Sequence, residues 1–364
     1  MGSVKKRADG VWRARWREVD GTERAKHFAT QRQAQDYLTE VTADMLRGEY
    51  ITEADKSVTF GVYADQWRLA QIHRPSTGER TETLIRLYMG QWDRRTLGSI
   101  RPTEVQAWVR SLTDTLAPAT TASVYQLFAT IMRAAVTDRL LNRTPCVRIQ
   151  LPTTEHVKVV PLPAEVVVEL AEQIRPELHA AVMISACAGL RISECMGVTV
   201  DRVDFLRRTI TVDRQLLAPT GGGTVFGPPK TRASKRIIPI GSMLTEVLAS
   251  HLAEHGAGPD GLITSYRGEA VRRANAARAF RVARDRIADC PPDATWHDLR
   301  HFYASALIAG GASVAAVQAR LGHATAAETL DTYTHLFPAE DDRTRAVIDG
   351  AFGFLADSVR TKDA

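Results

Sequence analysis

Two stretches that suit neither helix nor strand cut this chain into three. Residues 49–57 (EYITEADKS) are polar, and residues 151–163 carry prolines at 152, 161 and 163. Proline removes a backbone donor and biases the preceding residue away from helix, so such runs read as linkers. At 364 residues the chain is too long for one compact core. The expected organisation is three modules, at 1–57 with its linker, 58–152 and 160–364.

The first module opens on strict alternation. Trp12-Arg13-Ala14-Arg15-Trp16-Arg17, as a strand, puts Trp12, Ala14 and Trp16 on one face and Arg13, Arg15 and Arg17 on the other. Asp20-Gly21 is a hairpin signal, and a second strand is expected through Arg24–Phe28. Thr30-x-x-Gln33 then has the capping-box pattern, Ala34, Tyr37, Leu38, Val41 and Met45 recur at helical spacing, and Gly48 suits the helix end. The reading is a small sheet with a helix on its tryptophan face. Residues 1–32 hold nine lysines and arginines against four acids. The arginine face is either a solvated surface or a ribbon for the major groove of DNA, and three arginines in register favour DNA.

Residues 58–152 lack strand signals. Helices are expected at about 59–71, 80–92, 102–112 and 119–140, with Pro102 and Pro118 near helix starts. Val105, Trp108, Val109 and Leu112 form one apolar stripe; Val124, Leu127, Ile131, Ala134 and Ala135 form another. A four-helix bundle fits.

The third module holds the unusual chemistry. Helices at 164–175 and 177–188 lead into Ala188-Gly189-Leu190-Arg191-Ile192-Ser193-Glu194, where Arg191 and Glu194 share a helical face. That pair is either a structural ion pair or an arginine aimed in advance at an anion. Strand signals follow at 208–212 and 236–240. Between them lie a triple glycine at 221–223, without phosphate-loop spacing, and the basic loop GPPKTRASKR. There Lys230 follows two prolines, and it reads as a solvated charge or a phosphate contact. Helices are expected at 244–254 and 269–289, the second with Arg272, Arg273, Arg278, Arg281, Arg284 and Arg286. In HDLRH, His297 and Arg300 are three apart and face one way. Ser313 suits a helix start, Gly322 its end, and His323 follows it. Thr325-x-x-Glu328 starts the helix that carries Tyr333. Cations, imidazoles and one phenol suit a site that holds a phosphate dianion and attacks it.

Bulk properties exclude several classes. Net charge is +5, so the sum alone does not establish nucleic-acid binding. Cys146, Cys187, Cys195 and Cys290 are scattered without CxxC spacing. They are expected as buried apolar residues in a reducing cytoplasm rather than as disulfides or zinc ligands. Lys5, Lys6 and Arg7 precede no apolar run, and no stretch reaches spanning length, so neither a signal peptide nor a membrane partner is expected.

The motifs AGLRISE, PPKTRASKRIIPI, HDLRH and LGH, followed by a terminal tyrosine, occur together in an order that resembles the tyrosine recombinases, specifically phage-type integrases. The resemblance is strongest over about 160–337. It extends to 58–152 through LGSIRPTEVQAWV and NRTPCVRIQLP, and to 1–57 as an arm-type module. Tyr333 lies ten residues after His323, where many members place it nine after. The implied fold is multidomain, mainly α with small β-sheets: an N-terminal β-sheet-plus-helix arm-binding domain, a helical core-binding domain and an α+β catalytic domain. The implied catalytic set is Arg191, Lys230, His297, Arg300, His323 and the nucleophile Tyr333, with Glu194 orienting the site and Arg13, Arg15 and Arg17 contacting DNA.

The chemistry implied is cleavage and rejoining of DNA through a 3′-phosphotyrosyl bond, which conserves bond energy and calls for no cofactor or metal. Arginines would grip the phosphate, Lys230 would protonate the leaving 5′-oxygen, and nearby cations would ease deprotonation of Tyr333. The implied partners are core-type and arm-type sites on double-stranded DNA, three further copies in a homotetramer, a host DNA-bending protein and an excisionase. In the tail, Val347, Ile348, Ala351, Phe352 and Leu355 follow the acidic Glu340-Asp341-Asp342, and the stripe docks on a neighbouring subunit or on its own domain.

Three rivals remain. His297 and His301 have the i,i+4 spacing of a zinc helix, but Asp298 replaces the expected Glu and Arg300 sets a cation beside the metal. A non-catalytic DNA-binding regulator leaves the tyrosine set unexplained. A type IB topoisomerase shares the chemistry but not the arm-like N-terminus.

Overall fold

The structure, a computed structural model, describes residues 2–18, 21–153, 158–219, 222–337, 345 and 348–352. It divides into two compact units, Met1–Glu155 and His156–Ala364.

The first unit contains two separate apolar cores. Strands Ser3–Lys6, Trp12–Arg17 and Glu23–Phe28 form an antiparallel sheet in that order, with Trp12 opposite Phe28 and Val4 opposite Ala14. Ser3–Lys6 carries no alternation that marks it as a strand; it pairs because the tryptophan strand offers a free edge. The helix Gln31–Arg47 starts on the Thr30 hydroxyl, which accepts from the Gln33 amide, and ends on Gly48 at φ +69°. It buries Ala34, Leu38 and Val41 with Ala14 and Trp16. Arg13, Arg15 and Arg17 stand on the opposite face by strand alternation. Arg17 is exposed, and Arg15 is ion-paired with Glu23. Gly21 of the turn has φ +89°, while Asp20 lies outside the described residues.

The second core belongs to the helices Phe60–Ala70, Pro75–Tyr88, Pro102–Leu112 and Pro118–Thr137. Phe128 lies 4.9 Å from Trp108 and 5.6 Å from Trp92, ring centre to ring centre. The helix expected at 80–92 starts earlier, at Pro75 in its first turn, and gives way to a 3-10 turn at Gly90–Trp92. The helix expected to reach 140 stops at Thr137, and Arg139 is left-handed at φ +61°.

In the second unit the helix His179–Ala188 is the hub. Eight of its ten residues are buried, as a helix apolar except at His179 and Ser185 requires. Packed on it are Ala164–Gln173, Ser242–His255 and Trp296–Ala309. The Trp296 indole donates to Ser185 of the hub at 2.8 Å, both residues buried, which fixes the start of the helix bearing HDLRH. Val203–Asp204, Thr209–Val212 and Arg236–Pro239 form an antiparallel sheet in that order, and Gln215–Leu217 pairs with Val225–Gly227 in the excursion between them. Gly221 lies outside the described residues.

The basic helix expected over 269–289 is shorter, Arg273–Arg284. Its intended first residues, Glu269–Ala270, pair with Ser265–Tyr266 instead. The cause is the turn Arg267-Gly268, whose φ values of +53° and +74° are those of a tight hairpin. In the tail, Ile348 and Phe352 are exposed; Val347, Leu355 and the acidic Glu340, Asp341 and Asp342 lie outside the described residues.

Gly189 ends the hub helix at φ +66°, and a Cβ there would collide with the Tyr303 ring. Left-handed backbone costs a residue with a Cβ about 1–2 kcal/mol, and overpacking adds about 1–3. Gly189→Ala is therefore expected to destabilise the second unit by about 2–5 kcal/mol, read from its chemical denaturation curve.

Candidate active site

The site is assembled from helix ends. Arg191 follows the glycine stop of the hub helix and precedes the short helix Ile192–Cys195. Its backbone N–H donates to Glu194 Oε2 at 3.1 Å and its guanidinium to Glu194 Oε1 at 3.1 Å. Glu194 is 3% exposed, and its Oε2 also accepts from Arg236 at 2.9 Å. Burial raises the pKa of this carboxyl, but Arg236 and then Arg191 outweigh it and hold the group below the usual 4.5. Arg236 also donates to the carbonyls of Ser234 at 2.8 Å and Arg320 at 2.7 Å. One carboxylate thus joins two arginines and a strand to the site.

His297 and Arg300, three apart on the helix Trp296–Ala309, differ in depth: His297 is exposed and Arg300 is 1% exposed. The Arg300 guanidinium donates to the carbonyls of Gly189 and Leu321, each at 2.7 Å. Both carbonyls lie at helix ends stopped by left-handed glycines, Gly189 and Gly322, where unpaired C=O groups and the negative end of the dipole gather. Burial, then Arg191 and Arg236, push its pKa down to about 9, so the guanidinium stays charged at neutral pH.

The helix Val314–Leu321 is capped by Ser313 and stopped by Gly322, which delivers His323. His323 is buried, with Nδ1 hydrogen-bonded to Thr329 at 2.9 Å and Nε2 at 3.7 Å from Glu328. Burial and the Arg300 charge push its pKa down to about 4. His297 keeps an edge toward solvent. Packing around the ring, then His301 and Arg300, nevertheless hold its pKa down to about 4. The Thr325 hydroxyl caps the helix Ala326–Tyr333. Tyr333 is its last residue, 1% exposed, with the phenol 2.7 Å from His301 Nδ1.

The phenol corrects one expectation. Nearby cations were expected to ease its deprotonation. Burial outweighs the pull of Arg300, and the pKa is pushed up to about 12.

Arg191, Glu194, His297, Arg300, His323 and Tyr333 thus share one neighbourhood; the charges of Arg191 and Arg300 reach both His297 and His323. Lys230 is not brought into contact with them. It is exposed, on the loop that reaches the site through Ser234, whose hydroxyl is 3.5 Å from Arg191 and 3.0 Å from Thr231. Arg13, Arg15 and Arg17 belong to the other unit. Sequence reasoning missed Arg236, which gave no sign beyond its place in a strand, and His301, which it weighed only as half of a zinc spacing. Asp298 is accounted for: its carboxylate accepts from the Thr295 amide at 2.7 Å, closing a capping box.

Glu194→Gln leaves two arginines without their anion. Breaking a buried pair this way costs about 3–5 kcal/mol. Because the folded pKa lies below 4.5, the carboxylate's contribution is fully present above that pH and is lost as pH falls through the folded value. The stability gap between wild type and Glu194→Gln, measured by denaturation across pH, is expected to shrink below pH 4.5.

Residues 162–340 match the Phage integrase family. A putative prophage phiRv2 integrase of Mycobacterium tuberculosis is 25% identical over 358 residues, covering 96% of this chain and 95% of the relative. The tyrosine recombinase XerC of Mycobacterium sp. (strain KMS) is 30% identical over 279 residues, covering 70% of this chain and 84% of the relative. Among solved structures, the Tn1549 transposon integrase in complex with a circular intermediate DNA superposes with a TM-score of 0.69 at 22% identity, covering 79% of this chain and 98% of that one. A phenol on a capped helix, two arginines and two imidazoles at one site, and relatives along nearly the whole chain lead to one assignment: this chain belongs to the tyrosine recombinase family and is a tyrosine-type site-specific DNA recombinase.

Proposed function

We propose that this recombinase integrates and excises a phage or other mobile element, with Tyr333 as its nucleophile. The observation that carries this is the convergence of Arg191, Arg300, His297 and His323 around a tyrosine at the end of a capped helix. The phenol oxygen attacks a backbone phosphate, forms the 3′-phosphotyrosyl bond and releases a 5′-hydroxyl. Arg191, fixed by Glu194, binds the phosphate oxygens as a planar fork. Arg300 has five N–H donors and uses two on carbonyls, so it retains donors for the same anion. His297 and His323, both largely neutral at pH 7, hydrogen-bond the phosphate without competing for its charge. Lys230 protonates the leaving oxygen, a role suited to a lysine on a loop anchored at the site by Ser234.

The partners follow from the same reading. Residues 1–57 bind arm-type DNA, through Arg13, Arg15 and Arg17, residues 58–152 bind core-type DNA, and residues 160–364 carry the chemistry. Lambda integrase, which shares this fold, is described as a tetramer bound to a Holliday junction. Here the exposure of Ile348 and Phe352, 52% and 54%, supports a tail that docks on a neighbouring copy in such a tetramer. A host DNA-bending protein and an excisionase complete the assembly in the bacterial cytoplasm.

The substrate for testing is a nicked suicide duplex, its core selected from a random-sequence library for covalent capture by the wild-type chain. Tyr333→Phe is expected to bind this duplex and form no covalent adduct; an adduct on that variant overturns the nucleophile assignment. Lys230→Ala is expected to slow single-turnover cleavage by about 10²–10⁴-fold. A 5′-phosphorothiolate, whose sulfur leaves without protonation, is expected to restore the rate. No restoration removes Lys230 from the general-acid role.

A further inference from the structure

The hydrogen bond of the Tyr333 phenol goes to a residue that the roles above do not use. His301 Nδ1 lies 2.7 Å from the phenol oxygen, and the two rings meet edge-on with centres 5.6 Å apart. The other imidazoles are engaged elsewhere: His323 Nδ1 with Thr329, and His297 in ring contact with His301 at 4.7 Å. Proton transfer needs direct hydrogen-bond reach, and His301 has it.

We infer that His301 is the general base of strand cleavage, its Nδ1 receiving the Tyr333 proton as the phenol oxygen bonds to phosphorus. This rests on Tyr333 as the nucleophile. The Tyr333 O–H bond breaks, its electron pair forms the O–P bond, and the proton moves to His301. The bond from phosphorus to the 5′-oxygen breaks with its electrons on oxygen, which takes a proton from Lys230. On rejoining, the 5′-hydroxyl attacks, its proton returns to Lys230, and the imidazolium reprotonates the departing tyrosyl oxygen. No oxidant, reductant or metal enters the balance.

The environment keeps the base ready. His297, Asp298 and Arg300 face His301 from its own helix, and Tyr333 from the helix Ala326–Tyr333. Burial lowers the imidazole's pKa, Asp298 opposes this, and Arg300 adds to it; the net shift is downward, so the ring is mostly neutral at pH 7. The phenol, at about 12, is then the donor in the hydrogen bond.

His301→Asn keeps a polar atom near the Nδ1 position but cannot take a proton. On the selected nicked duplex, with the full chain, adduct formation is expected to fall about 10²-fold or more, with DNA binding unchanged. The 5′-phosphorothiolate that rescues Lys230→Ala should not rescue this variant, because the defect lies in the nucleophile. An adduct rate within about threefold of wild type overturns the inference, since a general base contributes far more. A faster rate also overturns it and makes His301 a clamp on the phenol. Should the variant fail to bind DNA, a second variant, His301→Gln, is used on the selected duplex, and an adduct rate within about threefold of wild type there overturns the inference. Tyr333→Phe separates the two levels. An adduct on Tyr333→Phe removes the nucleophile itself. No adduct there, with normal adduct on His301→Asn, removes only the base.

Discussion

A buried guanidinium organises the second unit. Arg300 is 1% exposed, and such a charge persists in a protein interior only when paired and hydrogen-bonded. Its nearest partners are not carboxylates but two backbone carbonyls at the ends of two helices. Three elements must therefore converge on one side chain: the helix bearing Arg300, the hub helix that stops at Gly189, and the helix that stops at Gly322. Each stop uses a left-handed glycine, which turns the chain so that the carbonyl of Gly189 itself and that of Leu321, just before Gly322, face the cation. Arg191 leaves directly from the first stop and His323 from the second. The geometry of two site residues is thus a consequence of how a third is buried.

The electrostatics divide labour in the same way. Arg191, Arg236 and Arg300 stand close together with one buried carboxylate, Glu194, between two of them. Burial disfavours a charged imidazole, such a field adds to it, and His297 and His323 are pushed down to about 4. In the proposed reaction the arginines carry the charge that a phosphate needs; the histidines remain neutral hydrogen-bonding groups. Placing a fourth and fifth cation there would raise the repulsion among groups that must stay packed before DNA arrives.

Much of this was legible in the sequence because helix ends have local chemistry. Ser313, Gly322 and Thr325 are recognisable caps, and they place His323 and Tyr333 on defined positions without any knowledge of the fold. The alternation at Trp12–Arg17 likewise gave its strand and its buried face. What was not legible depends on partners far apart in the chain. Arg236 meets Glu194 across 42 positions, and Arg300 meets Gly189 across 111. Helical spacing put His297 and Arg300 on one side but could not tell that the packing around Arg300 buries it while leaving His297 at the surface. His301 was visible only as the second histidine of a pair, since its partner is 32 residues away. The strand Ser3–Lys6 was missed because an edge strand needs only backbone pairing, not an apolar pattern.

Tyr333 shows why proximity to cations is not enough to activate a phenol. Coulomb attraction to Arg300 favours the phenolate, and removal from water disfavours it; in this packing the second effect is larger. At a pKa of about 12 the phenolate fraction at neutral pH is on the order of one in 10⁵. A buried phenol of this kind is protected from idle ionisation, and it also cannot attack unless something takes its proton within the packed site. Bulk water has little access to a residue that is 1% exposed. The same burial that keeps Tyr333 quiet therefore makes an adjacent proton acceptor a requirement, and the imidazole at 2.7 Å meets it.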